Sequence, residues 1–147
     1  METVKDIMNK KVIHFDENSY VYYAAVELGK KDIGCVIITR NKKPIGIITE
    51  RDMVKRVIAK DLNPKKTKLK DVMTAPVESL DQNTNIYYAS KIMREKGYQR
   101  YPVVKNNVVI GVITQANLID YFTEQRKKFV LQHLSKKLRK SYLWKNF

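Results

Sequence analysis

The chain has 147 residues, 44% of them hydrophobic, and a net charge of +14; that is enough apolar material for one core or two small ones sharing a surface, and it excludes a disordered chain. Its longest apolar runs, such as 108–113, fall far short of the roughly 18 to 20 residues of a membrane span, and no apolar leader opens it, so a cytoplasmic protein with no membrane span is expected. Cys35 is alone and His14 and His133 stand far apart, so a disulfide, an activated thiol and a metal site are all unexpected.

In chain order, residues 12–15 form a short apolar run that predicts a strand. Asn18 or Ser19 offers an N-cap for a helix whose apolar positions Val21, Ala24, Ala25 and Leu28 fall at helical spacing. The β-branched runs 35–39 and 45–49, separated by Arg40-Asn41-Lys42-Lys43-Pro44, predict a hairpin with a turn over 40–44. A closing helix is expected over about 50–59, followed by a lysine-rich linker over 60–68 that contains Pro64.

The same pattern then begins again. Shifting the chain by 65 positions, without a gap, pairs Lys5-Asp6-Ile7-Met8 with Lys70-Asp71-Val72-Met73, Tyr22-Tyr23-Ala24 with Tyr87-Tyr88-Ala89, and Ile45-Gly46-Ile47-Ile48-Thr49 with Ile110-Gly111-Val112-Ile113-Thr114. Residues 4–53 and 69–118 share 15 identities in 50 positions, well above what common composition gives. In the second copy Asn83 or Thr84 offers the N-cap for a helix through Ile86, Ala89, Ile92 and Met93, and Asn106-Asn107 is the turn between strands. One such unit leaves an apolar sheet face uncovered, so two copies are expected to pack face to face about a pseudo-twofold axis, with function at their junction.

Gly46-Ile47-Ile48-Thr49-Glu50-Arg51-Asp52 resembles the closing signature of a cystathionine β-synthase (CBS) domain, and Gly97-Tyr98-Gln99-Arg100-Tyr101-Pro102-Val103-Val104 resembles its second strand. Lys-Asp-hydrophobic-Met at Lys5 and Lys70 is similar to the opening of the family's domain. The resemblance covers residues 1 to about 122. It implies an α+β fold of two tandem βαββα repeats, 1–62 and 69–122, followed by a basic helical tail over 123–147. It also implies a non-catalytic sensor that binds AMP, ADP, ATP or S-adenosylmethionine between the repeats, usually as a homodimer, and acts on a protein effector that the sequence does not identify.

The site residues implied by the resemblance divide between two clefts. Thr49 and Asp52, the family's Thr-x-x-Asp, share one cleft with Ala75, Val77, Tyr98, Gln99 and Arg100, and Arg51 suits either a phosphate contact from either cleft or a solvated place in the first turn of its helix. There the carboxylate of Asp52 would accept from both ribose hydroxyls, and Arg100 matches a family position that often meets phosphate. Thr114, Asn117, Val12, His14, Gly34 and Cys35 form the opposite cleft. Because Cys35 stands there in the place of Arg100, the Asp52 cleft is expected to be the main site and to favour a phosphorylated ligand. A carboxylate has the acceptors to hold two vicinal hydroxyls through charge-assisted bonds, whereas Asn offers one acceptor and a donor. The same spacing is also that of a helix capping box.

Other motifs narrow the function. No Gly-x-x-x-x-Gly-Lys-Ser/Thr segment is present, and no pair of acid and base stands out, so hydrolysis is not expected. Tyr22-Tyr23 and Tyr87-Tyr88 suit a core or a dimer contact better than a base-stacking platform. Residues 121–147 carry eight Lys or Arg against one acid, Glu124, with Val130, Leu131, Leu134, Leu138 and Tyr142 on one stripe. That tail suits docking on the body or across a dimer, an acidic partner or membrane surface, or nucleic acid with the CBS pair as dimer scaffold.

Overall fold

The duplication in the sequence becomes a duplication in space. The computed structural model describes residues 2–30 and 33–146, and only the backbone of 144–146. The first copy contains α1 (Val4–Ile7), β1 (His14–Asp16), α2 (Val21–Lys30), β2 (Cys35–Arg40), β3 (Lys43–Thr49) and α3 (Glu50–Met53), which runs on as a π-helical turn over Val54–Ile58. The second contains a 3-10 turn (Leu69–Asp71), β4 (Leu80–Asp81), α4 (Ile86–Lys96), β5 (Arg100–Lys105), β6 (Val108–Thr114) and α5 (Gln115–His133), and α6 (Lys136–Asn146) ends the chain.

Each copy forms one three-stranded sheet, in the orders β1-β2-β3 and β4-β5-β6. The first pair of strands in each is parallel and the second antiparallel. The copying extends to a defect: the register shifts between Ile38 and Thr39 and again between Val103 and Val104. The first hairpin closes more tightly than the expected five-residue turn, because Lys43 and Pro44 already belong to β3, while the second turns at Asn106-Asn107 as expected. Asn41 and Lys42, at φ 50° and 65°, and Asn106 and Asn107, at φ 50° and 63°, are left-handed. Two successive left-handed residues give the two-residue hairpin whose twist matches that of the strands.

The helix starts differ from the expected caps. Asn18 does not cap α2; its backbone N–H instead donates to Asp16 Oδ1 at 2.9 Å. The first amides of α2 are satisfied by the linker, Val21 N donating to Thr67 O at 2.9 Å and Tyr22 N to Pro64 O at 3.0 Å. In α4 the cap is Asn85, one residue beyond the expected pair, accepting from Tyr87 N at 2.8 Å and Tyr88 N at 3.3 Å. The closing helix expected over 50–59 is α-helical for its first turn and π-helical for the rest.

Each copy has its own core, but each core is completed by the head of the other copy. Val4 is fully buried among Leu80, Ile86, Ala89 and Met93 of the second copy, while Leu69 and Val72 are buried among Val21, Ala24, Val36 and Ile48 of the first. The heads reach across as strands. Asn9 pairs with Val112 and Thr74 with Ile47. Glycine makes this approach possible, since a Cβ on Gly46 would stand 3.1 Å from Thr74 O and one on Gly111 2.9 Å from Asn9 O. Burying such a Val or Leu contributes about 1.5–3 kcal/mol, so the exchange ties the copies together. A third cluster, Cys35, Ile37 and Val112 with Val12, Ile47 and Val109, fills the seam between the sheets.

The closing helix of the second copy continues unbroken past 122 as α5, and α6 follows after a break at Leu134 and Ser135. Val130, Leu131, Leu134 and Tyr142 of the expected stripe are half-buried, and Leu138 is 55% exposed. Among the described residues, no helix is long and apolar enough to cross a membrane, and no cluster of His, Cys, Asp or Glu could hold a metal ion.

Candidate functional site

At the seam the two copies leave two openings. The larger, about 460 Å³, is lined by Thr49, Arg51 and Asp52 from the first copy and by Val77, Tyr98, Gln99 and Arg100 from the second. These are seven of the eight residues that the sequence assigns to one cleft. Ala75 is the exception. It lines a separate depression beside Arg56 and Lys60, while its neighbours Thr74 and Pro76 face the cleft.

The smaller opening, about 330 Å³, is lined by Val12, Gly34, Cys35 and Thr114. Asn117 and His14, assigned to it from the sequence, are not among its lining residues. His14 opens β1 opposite Ile37 and is exposed. Asn117 is held back in a cap. Sequence reasoning missed Glu50, Glu78 and Tyr101 in the larger opening and Asn9 and Lys11 in the smaller. The signal for Glu78 was available, since it adjoins Val77 and replaces an apolar Ile13 at the offset of 65.

Both capping boxes form, so the helix-capping reading of Thr-x-x-Asp holds as geometry. Thr49 N donates to Asp52 Oδ2 at 3.0 Å and Asp52 N donates to Thr49 Oγ1 at 3.1 Å. The other carboxylate oxygen, Oδ1, stands 3.4 Å from Arg56 Nη2, and Arg56 is anchored by donating from Nη1 to Val72 O at 2.9 Å. A carboxylate oxygen has two lone-pair directions, so Asp52 caps its helix and still borders the opening with acceptor capacity left over. In the second copy Thr114 N and Thr114 Oγ1 both donate to Asn117 Oδ1 at 2.9 Å, and Asn117 Nδ2 donates to Asn9 Oδ1 at 3.4 Å.

One cation sits at the partition. Arg100 and Gly34 line both openings, and the guanidinium lies so close to Gly34 that a Cβ there would be 2.8 Å from Arg100 Nη2. Burial pushes the Cys35 thiol up, with the charge of Arg100 opposing, which marks a protonated, inert side chain at neutral pH. On the rim of the larger opening Glu78 is paired with Lys96. Tyr101 is buried in β5 and its hydroxyl has no hydrogen-bond partner among the described residues; burial raises its pKa.

The sequence and the fold both have known counterparts. An uncharacterized protein of Methanopyrus kandleri is 31% identical over 136 residues, covering 86% of this chain and 69% of that protein. The chain spans only 62% of a second relative, an uncharacterized protein of Methanocaldococcus jannaschii that is 29% identical. Among solved structures, the CBS domain pair of protein MJ0100 in complex with 5′-methylthioadenosine and S-adenosyl-L-methionine superposes with a TM-score of 0.74 at 26% identity, covering 85% of this chain and 98% of that one. Hypoxic Response Protein I with two coordinated zinc ions gives 0.73 at 26% identity, covering 82% and 98%. The family model for the CBS domain matches twice, at residues 4–59 and 69–124, and with each match falling on one sheet and its helices, the chain belongs to the CBS domain family as a tandem pair.

Proposed function

We propose that this chain is a non-catalytic sensor module that takes an adenosine-containing compound, of the AMP, ADP, ATP or S-adenosylmethionine kind, at the seam between its copies. The observation that carries the reading is the composition of the larger cleft. Asp52, with acceptor capacity beyond its cap, faces it from one copy while the apolar Val77 and the cation Arg100 face it from the other. A ligand there touches both copies, so it favours whichever relative arrangement it binds more tightly, and that difference in affinity is the whole of the signal it can send. The adenosine compounds bound by the pair of MJ0100 support the same ligand class. As a cytosolic homodimer, the module would pass the change to a protein effector through exposed faces such as that of Tyr87 and Tyr88, 62% and 57% exposed on α4.

Calorimetric titration with adenosine tests the diol contact. Asp52→Asn keeps an acceptor for Thr49 N while removing the charge, so the fold should persist and the affinity for adenosine should fall about tenfold, the worth of a charge-assisted bond of about 1.5 kcal/mol. Equal affinity in the two proteins would remove Asp52 from the site.

A further inference from the structure

The two clefts differ in charge far more than a repeat would suggest. Three carboxylates, those of Glu50, Asp52 and Glu78, line the larger one, together with Arg51 and the shared Arg100. Lys11 and Arg100 line the smaller one, with no carboxylate among its described lining residues. At the offset of 65 the cause is a handful of replacements. Glu78 stands where the first copy has Ile13, and in the second copy Gln115 and Asn117 replace Glu50 and Asp52, while Lys11 has Pro76 as its counterpart.

Existing partners narrow the contrast without removing it. Asp52 is met by Arg56 and Glu78 by Lys96, which leaves the larger cleft closer to neutral and still walled by acids. Beside the smaller cleft, α5 has no acidic residue in its first turn, whereas α3 has both Glu50 and Asp52 there, so the partial positive charge of the α5 terminus adds to that of the two side chains. A phosphate dianion is repelled by carboxylates at the first wall and attracted by an ammonium and a guanidinium at the second. Because Arg100 borders both clefts, its charge alone cannot choose between them. The rest of each wall does.

We infer that the smaller cleft is a phosphate site, in which Lys11 and Arg100 hold a phosphorylated adenosine compound, and that the Asp52 cleft is left to an adenosine compound with a neutral or cationic tail. This rests on the reading of the pair as an adenosine binder, and it reverses the preference that the exchange of Arg100 for Cys35 suggests in the sequence. Lys11 supplies the selectivity, Arg100 the common anchor and Thr114 a hydroxyl at the helix start.

The test is calorimetry on the whole chain with two probes, AMP and 5′-methylthioadenosine. Lys11 is exposed, so Lys11→Gln should fold normally, weaken AMP roughly fivefold and leave 5′-methylthioadenosine within about twofold. Asp52→Asn should do the opposite. Raising the salt concentration should weaken AMP alone. If Lys11→Gln leaves AMP unchanged while Asp52→Asn weakens it, the phosphate lies in the larger cleft and the inference is overturned, with the adenosine reading intact. If the unaltered chain binds neither probe, the adenosine reading itself fails and takes this inference with it.

Discussion

Asp52 and Asn117 occupy equivalent positions in equivalent boxes and end in different chemical states. Asp52 accepts one backbone bond on Oδ2 and presents Oδ1 toward Arg56 at 3.4 Å, a partner on a half-exposed side chain that a diol can displace at little cost. Asn117 takes two bonds from Thr114 on its single oxygen and spends its amide on Asn9. A cap made by a carboxylate therefore leaves acceptor capacity at the seam, while a cap made by an amide is saturated by the chain itself. One copy keeps a carboxylate with spare acceptor capacity at the seam, and the other turns the same position into a brace beside a cleft lined by Lys11 and Arg100.

The largest effect expected from this comparison concerns the braces. Gly111 and Gly46 each let the other copy's head lie on the sheet, but the approach at Gly111 is tighter, 2.9 Å from a Cβ to Asn9 O against 3.1 Å to Thr74 O at Gly46. A methionine sulfur beside each glycine can swing away, whereas a strand carbonyl paired at both ends cannot. Gly111→Ala should cost about 3 kcal/mol and Gly46→Ala about 2 kcal/mol, in the range for overpacking a tight site. Urea denaturation of the two variants measures both. A larger loss at Gly46 would mean that the second head, rather than the first, is the stiffer brace.

The sequence carried the duplication, the strand pairs and the Thr49 and Thr114 boxes because each depends on residues close together in the chain, read at a fixed offset. It could not reveal that the heads exchange, since Val4 reads equally well as the core of either copy. Nor could it tell where α2 finds its cap. Asn85 at the head of α4 corresponds to Tyr20, which has no capping side chain, so the linker carbonyls of Pro64 and Thr67 take over. Ala75 and His14 fall outside the two openings for a related reason. Side chains on short loops and strand ends alternate in direction, and one residue either way decides whether a group faces the cleft, as Thr74 and Pro76 do on either side of Ala75.

A second variant erases the difference between the boxes directly. Asn117→Asp restores a carboxylate at the seam, and Asn9 can meet it by presenting its amide instead of its carbonyl, so the box should survive. Residue 117 sits behind Thr114 and does not line the smaller cleft, so adenosine should gain less than about twofold there, while AMP should weaken roughly threefold as a negative charge is added near its phosphate. Calorimetry with both compounds reads the two shifts together. If adenosine gains about tenfold instead, the worth of a charge-assisted hydrogen bond, the carboxylate has left its cap for the cleft and the cap does not hold it as Thr49 holds Asp52.

The smallest effect lies far from the clefts, in the hairpin turns. Asn107 tolerates φ 63° because its short polar side chain is at home in the left-handed region, while Lys42 sits at φ 65° with a long side chain that is not. Lys42→Asn should therefore raise the stability by about 0.5 kcal/mol, and Asn107→Lys should lower it by about as much. Neither residue lines a cleft, so adenosine and AMP should bind both variants as they bind the unaltered chain. A change in affinity from either turn would show that strain in a hairpin reaches the seam through β3 or β6, and would make the two copies less independent than their separate cores imply.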